Sequence, residues 1–369
     1  MISLRDLEAD SLFEEAEEWR ARSRYRKALP FYRRALRYYR KGGDDGRVGR
    51  CLLSIGDTFR MTGDFSHASD AYSEAISVSK LKRDRLLQAD AMVGLGLSRR
   101  ALGKWEEALK LFSGAQETYL RKSDREGIAF TLWAMGGAFR VGGEIRNAIN
   151  SFKKAKRIYE SFPEERAVWS GIGYCLCGLG GASRVYGRFE DSLGFYTKAN
   201  RLFTSVKDRF GIAYSHCGTG NALRMKGDLT GAMEHMKKAE KLYKGMGDIV
   251  SYSYTLWSMG MIRVMEGGLR KAETCFRKAG AGFRKTNDLR GTSYHMLGMG
   301  ELLFLKGDVR GAKRSLKRAL EISLRHGFKV ELYHAKGLLG FIDHGQVTSA
   351  NYRELGLRLK LTPLPFNIP

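Results

Sequence analysis

The sequence predicts an all-α fold: a solenoid of eight helix-pair repeats closed by a C-terminal capping pair of helices. Three observations predict it. An alanine recurs at Ala28, Ala68, Ala108 and Ala148, gives way to Ser192, and returns at Ala232, Ala272 and Ala312, in steps of 40 residues except for one of 44. A second alanine stands seven residues after each of these, at Ala35, Ala75, Ala115, Ala155, Ala199, Ala239, Ala279 and Ala319. Twelve residues before the first alanine stands a small residue, Ala16 and then Gly56, Gly96, Gly136, Gly180, Gly220, Gly260 and Gly300. A fixed period of this length marks units that bury their apolar faces only against their neighbours.

The first copy opens near residue 9. The second, Arg50 to Asp84, shows the unit most plainly. Leu52, Leu53, Ile55 and Phe59 recur at helical spacing, Met61-Thr62-Gly63-Asp64 interrupts, and Ala68, Ala71, Tyr72, Ala75 and Ile76 resume until about Leu81. Apolar residues so spaced form the buried stripe of an amphipathic helix. Gly63 serves as a helix stop and Asp64 or Ser66 as the next cap. Asp44, Asp84, Asp248 and Asp288 share the register where an aspartate caps the incoming first helix. The alanines let the two helices approach closely. The 44-residue step holds Pro163, which stops a helix and predicts a longer loop near 160–168. After Ala319 the pattern decays into a first capping helix, about Lys329 to His344, and a shorter one, about Ser349 to Leu361. The boundaries are thus 1–325 for the repeats, 326–361 for the cap and 362–369 for a proline-rich tail. That tail, Pro363 to Pro369, cannot be helical and is expected to pack on the last repeat or in a neighbour's groove.

The quartets Gly56, Ala68, Tyr72, Ala75; Gly96, Ala108, Phe112, Ala115; Gly136, Ala148, Phe152, Ala155; and Gly220, Ala232, Met236, Ala239 resemble positions 8, 20, 24 and 27 of the tetratricopeptide repeat. The resemblance runs from about residue 9 to 325 and implies a right-handed superhelix. The period is longer than that family's usual one, no proline closes the second helix, and the customary Trp is absent. Asp124-Arg125-Glu126-Gly127-Ile128-Ala129 and Asp208-Arg209-Phe210-Gly211-Ile212-Ala213 are similar to the LGN/Pins adaptor subgroup and to bacterial regulatory repeat proteins.

The resemblance also implies which positions line the concave groove. Position 12, four residues after the small residue, carries Arg20, Arg60, Arg100, Arg140, Arg184 and Arg224, then Val264 and Phe304. Positions 2 and 5 supply Phe130, Trp133, Tyr174, Tyr214, Tyr254, Trp257 and Tyr294, and position 9 includes Asn221. Guanidiniums bind carboxylate or phosphate through paired hydrogen bonds, and aromatic rings add apolar contact. The expected ligand is an extended acidic segment of a partner protein. The bland alternative is that the arginines are solvated or paired with Asp57, Asp90 or Glu301, and that the tyrosines pack against the next helix. Single-stranded nucleic acid, RNA included, is the second candidate, with bases stacked on the rings and phosphates on the arginines. Self-association through end repeats or the tail is a third.

Lys and Arg number 64 against 40 Asp and Glu, a net charge of +24, which favours acidic partners. A second basic stripe, Arg33-Arg34, Lys153-Lys154, Lys237-Lys238, Arg277-Lys278 and Lys317-Arg318, is expected on the outer face. The five cysteines fall inside helical stretches, not at disulfide-framework spacings, and no signal peptide or apolar run of membrane-spanning length is visible. A cytoplasmic, non-enzymatic protein without metal or cofactor is expected. Gly94-Leu95-Gly96 and Gly178-Leu179-Gly180-Gly181 lie within helices rather than after strands, so they are packing glycines rather than phosphate loops. Cys175-Leu176-Cys177 with His216-Cys217 lacks zinc-ligand spacing. A chaperone-type carboxylate clamp would need further Lys and Asn beside Asn221.

Overall fold

A computed structural model describes residues 4–163, 165–346, 350–359 and 366–368. The chain forms consecutive helix pairs. They are α1 (Leu4–Ala21) with α2 (Tyr25–Gly42), α3 (Asp45–Thr62) with α4 (Phe65–Lys82), α5 (Arg85–Ala101) with α6 (Trp105–Arg121), and α7 (Arg125–Val141) with α8 (Ile145–Tyr159). The series continues with α9 (Arg166–Tyr186) and α10 (Phe189–Ser205), α11 (Arg209–Lys226) and α12 (Leu229–Met246), α13 (Ile249–Met265) and α14 (Leu269–Lys285), and α15 (Leu289–Leu305) and α16 (Val309–Arg325). The cap is α17 (Lys329–His344) and α18 (Ala350–Glu354). The expected helical-repeat solenoid is therefore present, with helices in the places that the alanine period assigns.

Two compact units divide the chain: Met1–Ala134 with Met246–Asp248, and Met135–Gly245 with Ile249–Pro369. In the first, Tyr32, Tyr72, Ala28, Ala35, Ala68 and Ala75 are fully buried in one apolar cluster. In the second, Tyr196, Phe203 and Ala199 form one cluster, and Phe276, Phe283, Ala272 and Ala279 another.

Local chemistry explains the elements. Gly63 ends α3 in the left-handed region at φ 81°, a conformation open to glycine without a Cβ clash. Asp44, Asp84, Asp208 and Asp288 each accept the backbone N–H three residues on, at 3.0, 3.0, 2.9 and 2.7 Å. Asp64, rather than Ser66, caps α4 through His67 N–H at 3.3 Å. The position-8 glycines seat the position-24 side chains. A Cβ on Gly96 would lie 2.5 Å from the Phe112 ring, one on Gly136 2.7 Å from Phe152, and one on Gly260 2.5 Å from Phe276. The following repeat closes over the same rings: a Cβ on Gly178 would approach Phe152 to 2.5 Å and one on Gly298 would approach Phe276 to 2.8 Å. Each such ring is thus a peg between two helices of successive repeats.

Two boundaries differ from expectation or sharpen it. The second capping helix is only Ala350–Glu354, because Gly356 at φ +67° turns the chain, and Leu357 and Leu359 then pack beside Val185 and Tyr186. Leu361 lies outside the described residues, as do Pro363, Leu364, Pro365 and Pro369 of the tail. Between α8 and α9 the connection runs over 160–165, of which residue 164 is not described.

Candidate functional site

The position-12 arginines differ according to the residue three positions before each, at position 9. In the first unit, Arg20 Nη2 lies 2.5 Å from Glu17 Oε2. The same carboxylate accepts the Tyr32 hydroxyl at 2.5 Å and the Ser54 hydroxyl at 2.8 Å. Burial pushes the Glu17 carboxyl up, but Tyr32 and Arg20 outweigh it and hold the group below its usual range. One repeat on, Arg60 Nη2 lies 3.3 Å from Asp57 Oδ1, which also accepts the Tyr72 hydroxyl at 2.7 Å. Arg100 follows Leu97 instead of an acid. Its guanidinium stands 6.0 Å from the centre of the Trp133 ring. Trp133 in turn stacks on Phe130 at 5.4 Å and 27°. Phe130 is 39% exposed, so the layered group of cation and two rings ends at solvent.

In the second unit the position-9 residues before Arg140, Arg184 and Arg224 are Gly137, Gly181 and Asn221. A Cβ on Gly181 would stand 3.4 Å from Arg140 Nη1 and 3.2 Å from the Tyr196 hydroxyl, so this glycine leaves the guanidinium its space. Arg184 Nε is buried without a hydrogen-bond partner. Arg224 is fully buried, because residues 366–368 lie on it. Its Nη1 donates to Asn367 Oδ1, its Nη2 donates to the Ile368 carbonyl at 2.7 Å, and Asn367 Nδ2 returns a bond to the Arg224 carbonyl at 2.9 Å. Asn221 Oδ1 accepts from the same Nη2 at 3.3 Å. Glu301 Oε1 accepts the Phe366 backbone N–H at 2.5 Å. The Phe366 ring meets Phe341 edge-on at 5.2 Å and packs with Leu297, Leu316 and Leu338. Burial pushes the Glu301 carboxyl up to about 8, against the Phe366 N–H and Arg224, which favour the charged form. Burial likewise pushes Arg224 down, with Arg184 acting in the same sense and Glu301 against it.

The predicted aromatic row is largely structural in its contacts. The Tyr174 hydroxyl donates to the capping Asp208 at 2.8 Å, and that of Tyr254 to the capping Asp288 at 3.3 Å. Trp257 Nε1 donates to the Tyr294 carbonyl at 2.7 Å, and both residues are buried. Tyr214 lies 6.2 Å from Phe210. The outer basic pairs Arg33-Arg34, Lys153-Lys154, Lys237-Lys238, Arg277-Lys278 and Lys317-Arg318 are all exposed. Cys51, Cys175 and Cys177 are buried, and burial pushes the Cys51 and Cys175 thiols up to about 12, the opposite of an activated nucleophile.

Glu301 and residues 366–368 were not among the predicted site residues. Their signal in the sequence is faint: an acid at position 9 with no arginine three residues on, and two apolar residues flanking Asn367 in a segment that cannot be helical. A buried cluster was missed as well. Arg290 Nη2 stands 2.5 Å from Glu331 Oε1, and His334 Nδ1 bonds the Tyr352 hydroxyl.

A tetratricopeptide-repeat family model matches residues 18–80 and 87–161, and a second model of that repeat matches 53–119. No curated protein matches. Among solved structures, a Rap protein complexed with competence and sporulation factor superposes with a TM-score of 0.69 at 15% identity, over 95% of this chain and 97% of that one. The Rap conjugation gene regulator of plasmid pLS20, in complex with the Phr* peptide, gives 0.55 at 14% identity, over 91% and 96%. Aspartyl phosphate phosphatase F from Bacillus subtilis gives 0.51 at 14%, over 96% and 94%. At such identities the likeness is one of fold. No helix among the described residues is long and apolar enough to cross a membrane.

Proposed function

We propose that this chain, in which tetratricopeptide-repeat models match residues 18–80 and 87–161, is a protein-interaction scaffold: a non-enzymatic cytoplasmic regulator whose second unit binds an extended acidic segment of a partner protein. The observation that carries this reading is Arg224, whose guanidinium holds a main-chain carbonyl and a side-chain amide of a non-helical segment. Arg184 and Arg140 occupy the same register one and two repeats earlier. Arg184 presents a buried Nε that lacks an acceptor, and a carboxylate would supply one. In the first unit, Arg100 with Trp133 and Phe130 offers a second, smaller contact for an acidic residue beside an apolar one. The solved Rap structure with the Phr* peptide supports the reading at the level of fold. Phosphatase F shares that fold, but fold alone assigns no catalysis.

The test is recovery of partners from native lysate, with and without nuclease, on wild type and on Arg140→Glu/Arg184→Glu. A protein that survives nuclease and is lost with the double variant, at unchanged helicity, is the expected result. Retention by the variant refutes the reading. Recovery that depends on nucleic acid moves it to RNA or DNA and to the outer basic pairs.

A further inference from the structure

Resting on the peptide-binding reading above, we infer that residues 366–368 are a tethered occupant of the second unit's site. A partner peptide presenting an apolar residue, an asparagine and a second apolar residue in extended form binds there by displacing them.

The contacts have the form of ligand recognition. Side chains of the repeats bind the main chain of the segment: Glu301 takes the Phe366 N–H and Arg224 gives to the Ile368 carbonyl. These partners lie 65 and 144 residues away in sequence. Reading the backbone with side chains is how a groove holds an extended chain whose own amides have no helical partners.

The middle residue is read as an amide. Asn367 accepts from Arg224 Nη1 and donates to the Arg224 carbonyl. An aspartate could accept but not donate, and would leave that carbonyl without the bond. The flanking residues are read as apolar, since Phe366 and Ile368 are fully buried among Leu297, Leu316 and Leu338. The acidic residues of the partner then lie elsewhere along its length, toward Arg184 and Arg140.

The site is also poorly suited to permanent cover. Beneath the segment, Arg224 Nε and Glu301 Oε2 are buried without hydrogen-bond partners. An apolar pair at these two positions would seat a purely structural tail without burying two ionisable groups. A guanidinium and a carboxyl at the bottom of the site are useful when it is open and refilled by a ligand that satisfies them.

The experiment uses the full chain and a fluorescent peptide of the sequence Leu361–Pro369, with affinity read by anisotropy. Wild type, Asn367→Ala and Phe366→Asp are compared, and far-UV circular dichroism checks their fold. Freeing the site is expected to tighten peptide binding at least tenfold in both variants. A peptide with aspartate in place of asparagine is expected to bind at least tenfold more weakly. If Phe366→Asp loses helicity, Asn367→Ala carries the comparison. Hydrogen exchange on wild type gives a further readout: the Phe366 amide is protected alone and loses protection with excess unlabelled peptide. Equal affinity in all three proteins, or none in any, or a Phe366 amide that exchanges freely in wild type, overturns the inference. Peptide capture by the tail variants together with partner recovery indifferent to Arg140→Glu/Arg184→Glu would refute only the acidic-segment reading.

Discussion

Replacing Gly218 by alanine tests the peg between repeats directly. Tyr196 is 3% exposed, and its ring stands between Gly180 on α9 and Gly218 on α11. A Cβ on Gly180 would lie 2.8 Å from Tyr196 Cε2, and one on Gly218 would collide with Cε1, Cδ1 and Cζ on the opposite edge. The ring therefore has no direction in which to retreat. Gly194 lies in the same helix as Tyr196 but is exposed, and an added Cβ there meets nothing within 4 Å. Glycine to alanine in a helix interior gains about 1 kcal/mol from propensity. Forcing an extra carbon into a closed core costs about 1–3 kcal/mol. With both edges of the ring blocked, the upper part of that range applies, so Gly218→Ala loses about 1–2 kcal/mol net while Gly194→Ala gains about 1 kcal/mol. The urea midpoint followed by far-UV circular dichroism is the assay. Midpoints are compared rather than extrapolated free energies, because repeat arrays can unfold in parts. The two variants must move in opposite directions from wild type. Gly218→Ala at or above the wild-type midpoint would refute the argument that the glycine exists to seat the ring.

Asp208→Ala removes both the cap on Gly211 N–H and the acceptor of the Tyr174 hydroxyl, and is expected to lower stability by about 1–2 kcal/mol, read in the same denaturation. Arg290→Met leaves Glu331 buried without its ion-pair partner, costing about 3–5 kcal/mol, whereas Arg290→Met with Glu331→Leu recovers most of it. A double variant as unstable as the single one would show that the ion pair is not the source. Burial pushes the His334 imidazole down to about 4. The folded state thus binds fewer protons than the unfolded chain, so stability is full above about 6.5 and falls as pH drops toward 4, by about 3 kcal/mol in all. His334→Gln is expected to flatten that part of the pH–stability profile.

Much of this molecule is legible in a single sequence because its unit repeats. The alanine pairs, the glycine stops and the capping aspartates are local signals, and each recurrence corrects the reading of the last. What escapes is whatever joins residues far apart in the chain. Gly94 and Gly178 read as packing glycines, but which ring each one seats depends on the preceding repeat's stacking. Gly127, Gly211 and Gly291 have a double duty that the sequence does not announce. Each donates its N–H to the aspartate cap three residues before it, and each leaves room for Tyr119, Phe203 or Phe283 from the previous helix. The tyrosines at position 2 form a tidy row in the sequence, but only the fold shows that Tyr174 and Tyr254 reach the capping aspartate of the next repeat. The short α18 escaped because Gly356, a strong helix stop, sits within what otherwise reads as a periodic run.

The same arginine register acquires different chemistry because position 9 varies. In copies one and two, Glu17 and Asp57 stand three residues before Arg20 and Arg60, so acid and base meet within one turn of one helix. Such pairs are self-contained and hold their rings, Tyr32 and Tyr72, as well as their charges. In the second unit the halves are separated. Arg224 in copy six follows Asn221, which offers an amide oxygen but no charge, and Glu301 in copy eight precedes Phe304, which offers no cation. The unmatched base and the unmatched acid then face one site from two different repeats, and each perturbs the other's titration. What bridges the two is three residues of extended chain, which bond Arg224 at one end and Glu301 at the other. An acid at position 9 of copy six would close this site with an internal pair, as in copies one and two. Asn221 in copy six and Glu301 without an arginine in copy eight instead leave a donor and an acceptor spaced to hold a peptide backbone.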